Sequence, residues 1–310
     1  MLHITDGESV AGTLRGSAIP GDVSTYGDLL YEGPAPGGLD ADAWRDTRAG
    51  FMAEAGYAGL EDARQYLKAC DDTLAISFEH EEVVIWLDHR LSDQLILIRV
   101  LDWFSRQNLG GVKLSIICVG RGLGELTANQ LLPLAATRLP VADAQFRTAQ
   151  AAWYAFTSPD PTAIERLIET DTSALPFLAA ALRRHLEQFP SVDSGLSRTE
   201  RQALAVLREQ GSLSGKRLFA AVQRLEATIF MGDGSFYRLM AELSRVRHPL
   251  LQISDTGEVT ITEAGRNVME GRADHIELNG IDRWLGGVHL KGDKAAWRWD
   301  RTSARIVSYP

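Results

Sequence analysis

The stretch VVIWLDHRLSDQLILIRVLDWF, residues 83–104, changes its periodicity half-way. Residues 83–88 are apolar on both faces up to Asp88, as a central strand of a parallel sheet must be when helices cover both sides. Ser92 is an N-cap residue type, so a helix is expected from Asp93 to about Gln107, with Leu95, Ile98, Leu101 and Trp103 covering the sheet. Between strand and helix stand Asp88, His89, Arg90, Asp93 and Gln94, a cluster of donors and acceptors at the edge of a hydrophobic core.

Working outward, LHIT (2–5) reads as a short strand entering the turn DGES, with a helix over VAGTLRG. A second strand is expected near DVSTY (22–26), then a loop, DLLYEGPAPGG, punctuated by Pro34, Pro36 and two glycines. Helices are expected over 40–56 and 60–72, and KLSIICV (113–119) is the next strand, ended by GRGLG. Short apolar runs alternating with helical patterns predict an α/β fold with a Rossmann-like, mostly parallel sheet over residues 1–125. From 126 to 196 spacings of three and four dominate, as in a helical bundle.

Charge changes near residue 196. Residues 197–310 hold 17 Lys+Arg against 14 Asp+Glu, net +3, which leaves 15 against 27, net −12, in residues 1–196. The overall charge of −9 argues against a chain that coats nucleic acid along its whole surface. Residues 197–272 open with the capping box Ser197-Arg198-Thr199-Glu200 and read as three helices followed by a hairpin, a winged-helix-like unit. The glycine- and tryptophan-rich tail, 273–310, reads as a small β-appendage.

The two cysteines, Cys70 and Cys118, lie too far apart for a zinc-ribbon pair, and Cys118 reads as a small buried hydrophobe. LILIRVLDWF is interrupted by Arg99 and Asp102 and cannot span a bilayer. With no apolar leader after MLHITDGES, a cytoplasmic location without a membrane partner is expected.

If the strands run parallel, the loops leaving their carboxyl ends share one edge, where ligands bind in open α/β sheets. Asp6, Gly7 and Ser9, then Glu32, then Asp88, His89, Asp93 and Gln94, then Arg121 come there from four distant segments. Backbone amides around Gly7 and Ser9 could hold an anion, although DGES carries neither complete glycine-rich nucleotide motif, and Asp6 could equally cap a turn. His89, flanked by Asp88 and Asp93, is either a general base with an orienting carboxylate, a metal ligand, or a ring held in place to stabilise its turn. Gln94 either meets a ligand or satisfies a loop carbonyl. Glu32 is either a carboxylate base aimed into the cleft or a rim charge in solvent, and Arg48 is expected on a solvated helix face. The expected catalytic pair is His89 and Asp93. The expected ligand contacts are Asp6, Gly7, Ser9, Glu32, Asp88, Gln94 and Arg121, on a small anion of phosphate- or nucleotide-like class. The residues assign no metal site, and cofactor and oligomeric state stay open.

HITDGES (3–9), LLYEGP (29–34), VVIWLDHRLSDQL (83–95), SGLSRTERQAL (194–204), FMGDGSF (230–236) and LNGIDRWLGGVHL (278–290) together resemble the bacterial family called domain of unknown function 1835. The resemblance covers nearly the whole chain. It aligns His3, Gly7 and Ser9, and then Trp86, Asp88, His89, Leu91, Asp93, Gln94 and Leu95, with the family pattern. The chain departs at Asp6 where Asn is usual, at Glu8 where Asp is usual, at Asp88 where Glu is usual, and at Arg90 where Asp is usual. The resemblance implies a bacterial protein and names no reaction.

In the winged-helix-like unit, SFYRLMAELSR would be the helix offered to a major groove. Phe236, Leu239, Met240 and Leu243 should be core, leaving Tyr237, Arg238, Ala241, Glu242, Arg245 and Arg247 outward, a thin phosphate-binding face. The hairpin tip DTGE adds two acids. Packing or protein contact is therefore favoured over DNA binding. A ligand-responsive transcription regulator is the alternative to a small-molecule site alone.

Overall fold

The computed structural model describes residues 1–309, and the chain divides into two compact units, Met1–Leu182 and Arg183 onward. The first contains β1 (Leu2–Thr5), α1 (Glu8–Arg15), β2 (Asp22–Thr25), the two-residue β3 (Gly33–Pro34), α2 (Ala41–Glu54), α3 (Leu60–Ile76), β4 (Glu82–Asp88), α4 (Leu91–Ser105), β5 (Lys113–Val119), α5 (Ala128–Ala135), β6 (Leu139–Pro140), α6 (Asp143–Thr157) and α7 (Thr162–Ile168). The helix α8 (Leu178–Leu186) carries the chain across the division.

The sheet runs β2-β1-β4-β5-β6. Its pairs are parallel except the last, where β6 lies antiparallel to β5. Strand β4 is central, and Val83 to Leu87 are all buried, which is why its sequence shows no polar alternation. One face is covered by Val10 and Leu14 of α1 and Leu131 of α5, packed against Val84, Trp86 and Ile117. Across that sheet the Trp86 indole N–H donates to His3 Nδ1 at 3.0 Å. An indole only donates, so the His3 proton sits on Nε2 and is given to the Pro20 carbonyl, 3.1 Å away. Burial holds the His3 pKa below its ordinary value, so the ring is neutral and structural.

Helix α4 begins two residues earlier than its sequence suggests. The Asp88 carboxylate accepts from the Arg90 backbone N–H at 2.9 Å, a side-chain turn that leaves Arg90 extended as the N-cap and starts the helix at Leu91. Ser92 lies inside the first turn, and its hydroxyl donates to Asp93 instead of capping. Helix α6 packs against α4. Much of the helical segment 126–196 thus lies within the first unit.

Arg48 is not on a solvated face. Its guanidinium is fully buried and binds both oxygens of Asp28, at 2.7–3.1 Å, and the carbonyls of Leu29, Glu32 and Pro34, each at 3.0 Å. The segment 28–34 carries several buried backbone acceptors, and one planar five-donor group from α2 reaches three of them.

The second unit contains α9 (Arg198–Gln210), β7 (Leu213–Ser214), α10 (Gly215–Gln223), α11 (Asp233–Arg245), β8 (Leu251–Ile253), β9 (Glu258–Ile261), α12 (Glu263–Met269), α13 (His275–Asn279), β10 (Ile281–Gly286), β11 (Val288–Gly292), β12 (Trp297–Asp300) and β13 (Arg305–Ser308). The capping box forms as written. Glu200 N–H donates to Ser197 Oγ, and the Ser197 N–H donates to the Glu200 carboxylate at 2.7 Å. Strands β7, β9 and β8 form an antiparallel sheet. Phe236, Leu239, Met240 and Leu243 of α11 lie in the core with Leu204 and Leu207 of α9. The tail forms two hairpins, β10–β11 and β12–β13. Of its tryptophans, Trp299 is buried, and Trp284 stacks on His289 at a centroid distance of 4.4 Å.

Candidate functional site

The order β2-β1-β4 places a topological switch beside β1. The chain leaves β1 through α1 toward β2, then crosses back by α2 and α3 to β4 on the other side. In such sheets the crevice beyond the strand ends at the switch is open, because successive loops depart in opposite directions. A cavity of about 240 Å³ lies there, lined by Asp6, Gly7, Ser9 and Val10 after β1, by Asp88 at the end of β4 and Arg90 beyond it, and by Gly124 and Glu125 after β5.

Each wall has a local cause. Gly7 is the extended N-cap of α1 and offers no side chain to its first turn. The Ser9 hydroxyl donates to the Gly124 carbonyl at 3.3 Å, and a Cβ on Gly124 would stand 3.0 Å from that hydroxyl oxygen. Asp88, 1% exposed, joins two loops. Its carboxylate pairs with the Arg90 guanidinium at 2.9–3.2 Å and also accepts from Leu123 N–H at 2.9 Å. A Cβ on Gly122 would come 2.5 Å from an Arg90 guanidinium nitrogen, so a larger residue there would have to push the guanidinium aside.

Neither a protein-family model nor a curated protein matches the chain. Its chemistry is therefore read from these side chains alone.

Four expected residues line the cavity: Asp6, Gly7, Ser9 and Asp88. Five do not. Glu32 is buried, which removes the solvent-rim reading, and its carboxylate accepts from the Tyr57 hydroxyl at 2.6 Å. Gln94 and Asp93 fold back on the β4–α4 turn. Gln94 donates to the Asp88 carbonyl at 2.6 Å and to Cys118 Sγ at 3.4 Å, while Asp93 accepts from the Asp88 N–H at 3.0 Å. The His89 ring packs edge-on against Phe177 at 6.0 Å, with Nδ1 3.8 Å from Asp88 and without a hydrogen-bond partner. Arg121 is exposed. Arg90, Gly124 and Glu125 line the cavity without having been singled out as ligand contacts. The signal for Arg90 was its place two residues after a strand-ending Asp, where an Asx-type turn brings its guanidinium back onto the carboxylate.

Asp93 and Asp6 respond to each other and to the charge of Asp88. Burial raises the Asp93 pKa to about 8, with the charges of Asp6 and Asp88 adding to the effect. Burial also raises Asp6, reinforced by Asp88 and opposed by Arg90. For Arg90, burial works against the charged form, but Asp88 more than compensates and the pKa rises. Burial likewise pushes the Cys118 thiol up to about 11, so it is no nucleophile at neutral pH. Among the described residues, no three His, Cys, Asp or Glu side chains are grouped to hold a metal ion.

Asp93 has a thermodynamic signature. The folded chain keeps a proton on Asp93 up to about pH 8, whereas an unfolded Asp releases it near its ordinary value of 3.8. Over that window the folded state binds more protons, so unfolding becomes easier as pH climbs and the trend ends above about 8. Asp93→Asn keeps an oxygen for the Asp88 N–H and an amide for Ser92. It should match the wild type near pH 5 and exceed it in urea resistance near pH 9. Parallel declines for both proteins would show that Asp93 is ionised throughout.

Proposed function

We propose that the first unit is a small-molecule-binding domain, and that its ligand is a small anion of phosphate- or nucleotide-like class held at the β1–β4 switch. The observation that carries this reading is the cavity itself, which joins three loops from distant parts of the sequence at the edge where parallel sheets receive ligands. The uncapped first turn of α1 directs backbone N–H groups toward an anion, among them that of Ser9. Arg90, held by Asp88, supplies the cationic side. Asp6 and Glu125 face the same space and suit the hydroxyl groups of a sugar-like portion. No described helix is long and apolar enough to cross a membrane.

Asp6 makes the reading testable through pH. An anion is repelled by ionised Asp6 and tolerated by protonated Asp6, whose raised pKa lets it take up a proton more readily than an exposed aspartate. Sulfate keeps a constant charge between pH 5 and 8 and is the cleanest probe. Its dissociation constant, measured by calorimetry, should fall as pH is lowered from 8 to 5, and Asp6→Asn should remove the trend by binding well at both ends. If sulfate, phosphate and adenosine 5′-monophosphate all fail to bind across this range, or bind Arg90→Gln as they bind the wild type, the reading is wrong.

The reading stops at binding. His89 and Asp93, the side chains expected to move protons, lie outside the cavity lining. Kinship with the domain of unknown function 1835 family remains part of this proposal and rests on the sequence blocks.

For the second unit we infer a winged-helix arrangement, supported by the order α9, β7, α10, α11, β8, β9 and by the pairing of β7 with β9. Its charges favour packing or protein contact over an operator. On α11, Arg238 is engaged by Glu242, and the β8–β9 turn carries Asp255, with Glu258 opening β9.

A further inference from the structure

A second cavity in the first unit, about 310 Å³ in volume, opens between α2, α4 and α6, away from the strand-end cleft. Trp44, Trp153 and Tyr154 form aromatic walls, Leu39 an apolar one, and Arg99 and Arg106 bring positive charge. The two indoles meet edge to face at 5.4 Å. The Arg99 guanidinium lies over both, 4.6 Å from the Trp44 ring centre and 5.0 Å from that of Trp153. Tyr154 stands at the wall with 76% of its surface exposed, a large aromatic left uncovered.

Arg99 differs from the other sequestered arginines. Arg48 pairs with Asp28, Arg184 with Glu226, Arg283 with Glu200 and Arg298 with Asp274. Arg99 forms no ion pair among the described residues. Its Nε is buried without a hydrogen-bond partner, and the buried Tyr26 hydroxyl is the side chain within its hydrogen-bonding reach. Asp102, three residues on along α4, is committed to Arg106 at 2.8 Å, and Asp28 to Arg48. A guanidinium half withdrawn from water without a counter-charge is left short of partners, and cation–π contact makes up only part of the loss. An anionic ligand would supply the missing partner, and flat aromatic walls select a planar body beside it.

We propose that this cavity binds a small aromatic acid, with its carboxylate on Arg99 and its ring against Trp153 and Tyr154. The volume suits a molecule of one or two fused rings. The site is independent of the strand-end cavity, and neither proposal needs the other.

The test uses matched pairs, benzoate with benzamide and indole-3-carboxylate with indole-3-carboxamide, titrated into the full chain by calorimetry. At least one acid should bind, with its amide weaker by about tenfold or more, the difference expected when a charge-assisted hydrogen bond is lost. Arg99→Met keeps the length of the side chain without its charge. It should lose the preference for acid over amide while keeping the apo melting temperature, because exchanging a half-buried, unpaired charge for an apolar chain of similar length leaves no carboxylate stranded. Tyr154→Ala, at an exposed position, should weaken acid and amide alike. The proposal fails if no acid binds, if acids and amides bind equally, or if Arg99→Met melts several degrees lower without ligand, since that would make Arg99 a structural clamp between the indoles.

Discussion

Replacing Arg48 with methionine should lower the unfolding free energy by about 3–5 kcal/mol, the range for breaking a buried ion pair on one side. The substitution strands the Asp28 carboxylate, whose side chain is 6% exposed, and takes the guanidinium donors from the carbonyls of Leu29, Glu32 and Pro34, of which Leu29 keeps the Glu32 N–H. Losing a donor at a buried acceptor is costly, and here three carbonyls of one segment lose one each. Arg48→Lys should fall between methionine and wild type, because an ammonium keeps the charge but cannot span Asp28 and three carbonyls at once. Adding Asp28→Asn to Arg48→Met should recover part of the loss by removing the uncompensated charge. Urea unfolding of the four proteins measures this. A loss below about 1 kcal/mol for Arg48→Met, the scale of an exposed pair, would mean that the loop holds without its clamp.

The second large effect belongs to Asp88. Asp88→Ala should destabilise the chain by about 2–4 kcal/mol, since it frees Arg90 and removes the acceptor for the Leu123 N–H that ties the loop after β5 to the end of β4. Hydrogen exchange at Leu123 should accelerate with it. Asp88→Asn separates charge from shape. Asp88 is one of the two charges that help keep Asp93 protonated, so its loss should move the Asp93 titration below its value of about 8. An unchanged Asp93 midpoint, followed through the pH dependence of unfolding, would show that the Asp88 charge adds nothing to it.

Much of the sheet was legible because its signals are local. LHIT and KLSIICV are β1 and β5 to the residue, and VVIWLD lacks only Glu82 of β4. Apolar runs of that length bounded by turn residues have few other readings. The gathering of the β1, β4 and β5 loops followed from parallel pairing, which the short connections and intervening helices imply. The detail of the site was less legible, since it depends on which way a polar side chain turns once its loop is placed. Gln94 and Asp93 turn inward to close the β4–α4 connection, and Glu32 turns to Tyr57. Their residue types suit a ligand equally well, so no spacing distinguishes the two. Arg48 was misplaced for a related reason. A charged residue on a helix is ordinarily solvated, and its true partners are loop carbonyls that sequence periodicity does not encode. Arg99 stood in view as the charge interrupting LILIRVLDWF, but its lack of a carboxylate is visible only in three dimensions.

The central claim is that an anion sits at the switch between β1 and β4. The most direct measurement is a titration of sulfate into isotopically labelled protein at pH 5.5, followed through its backbone amide resonances. The account predicts that Glu8, Ser9 and Val10 shift along one saturation curve shared with Arg90 and Gly124. Shifts confined to exposed lysines and arginines elsewhere, or none at these five amides, would contradict it.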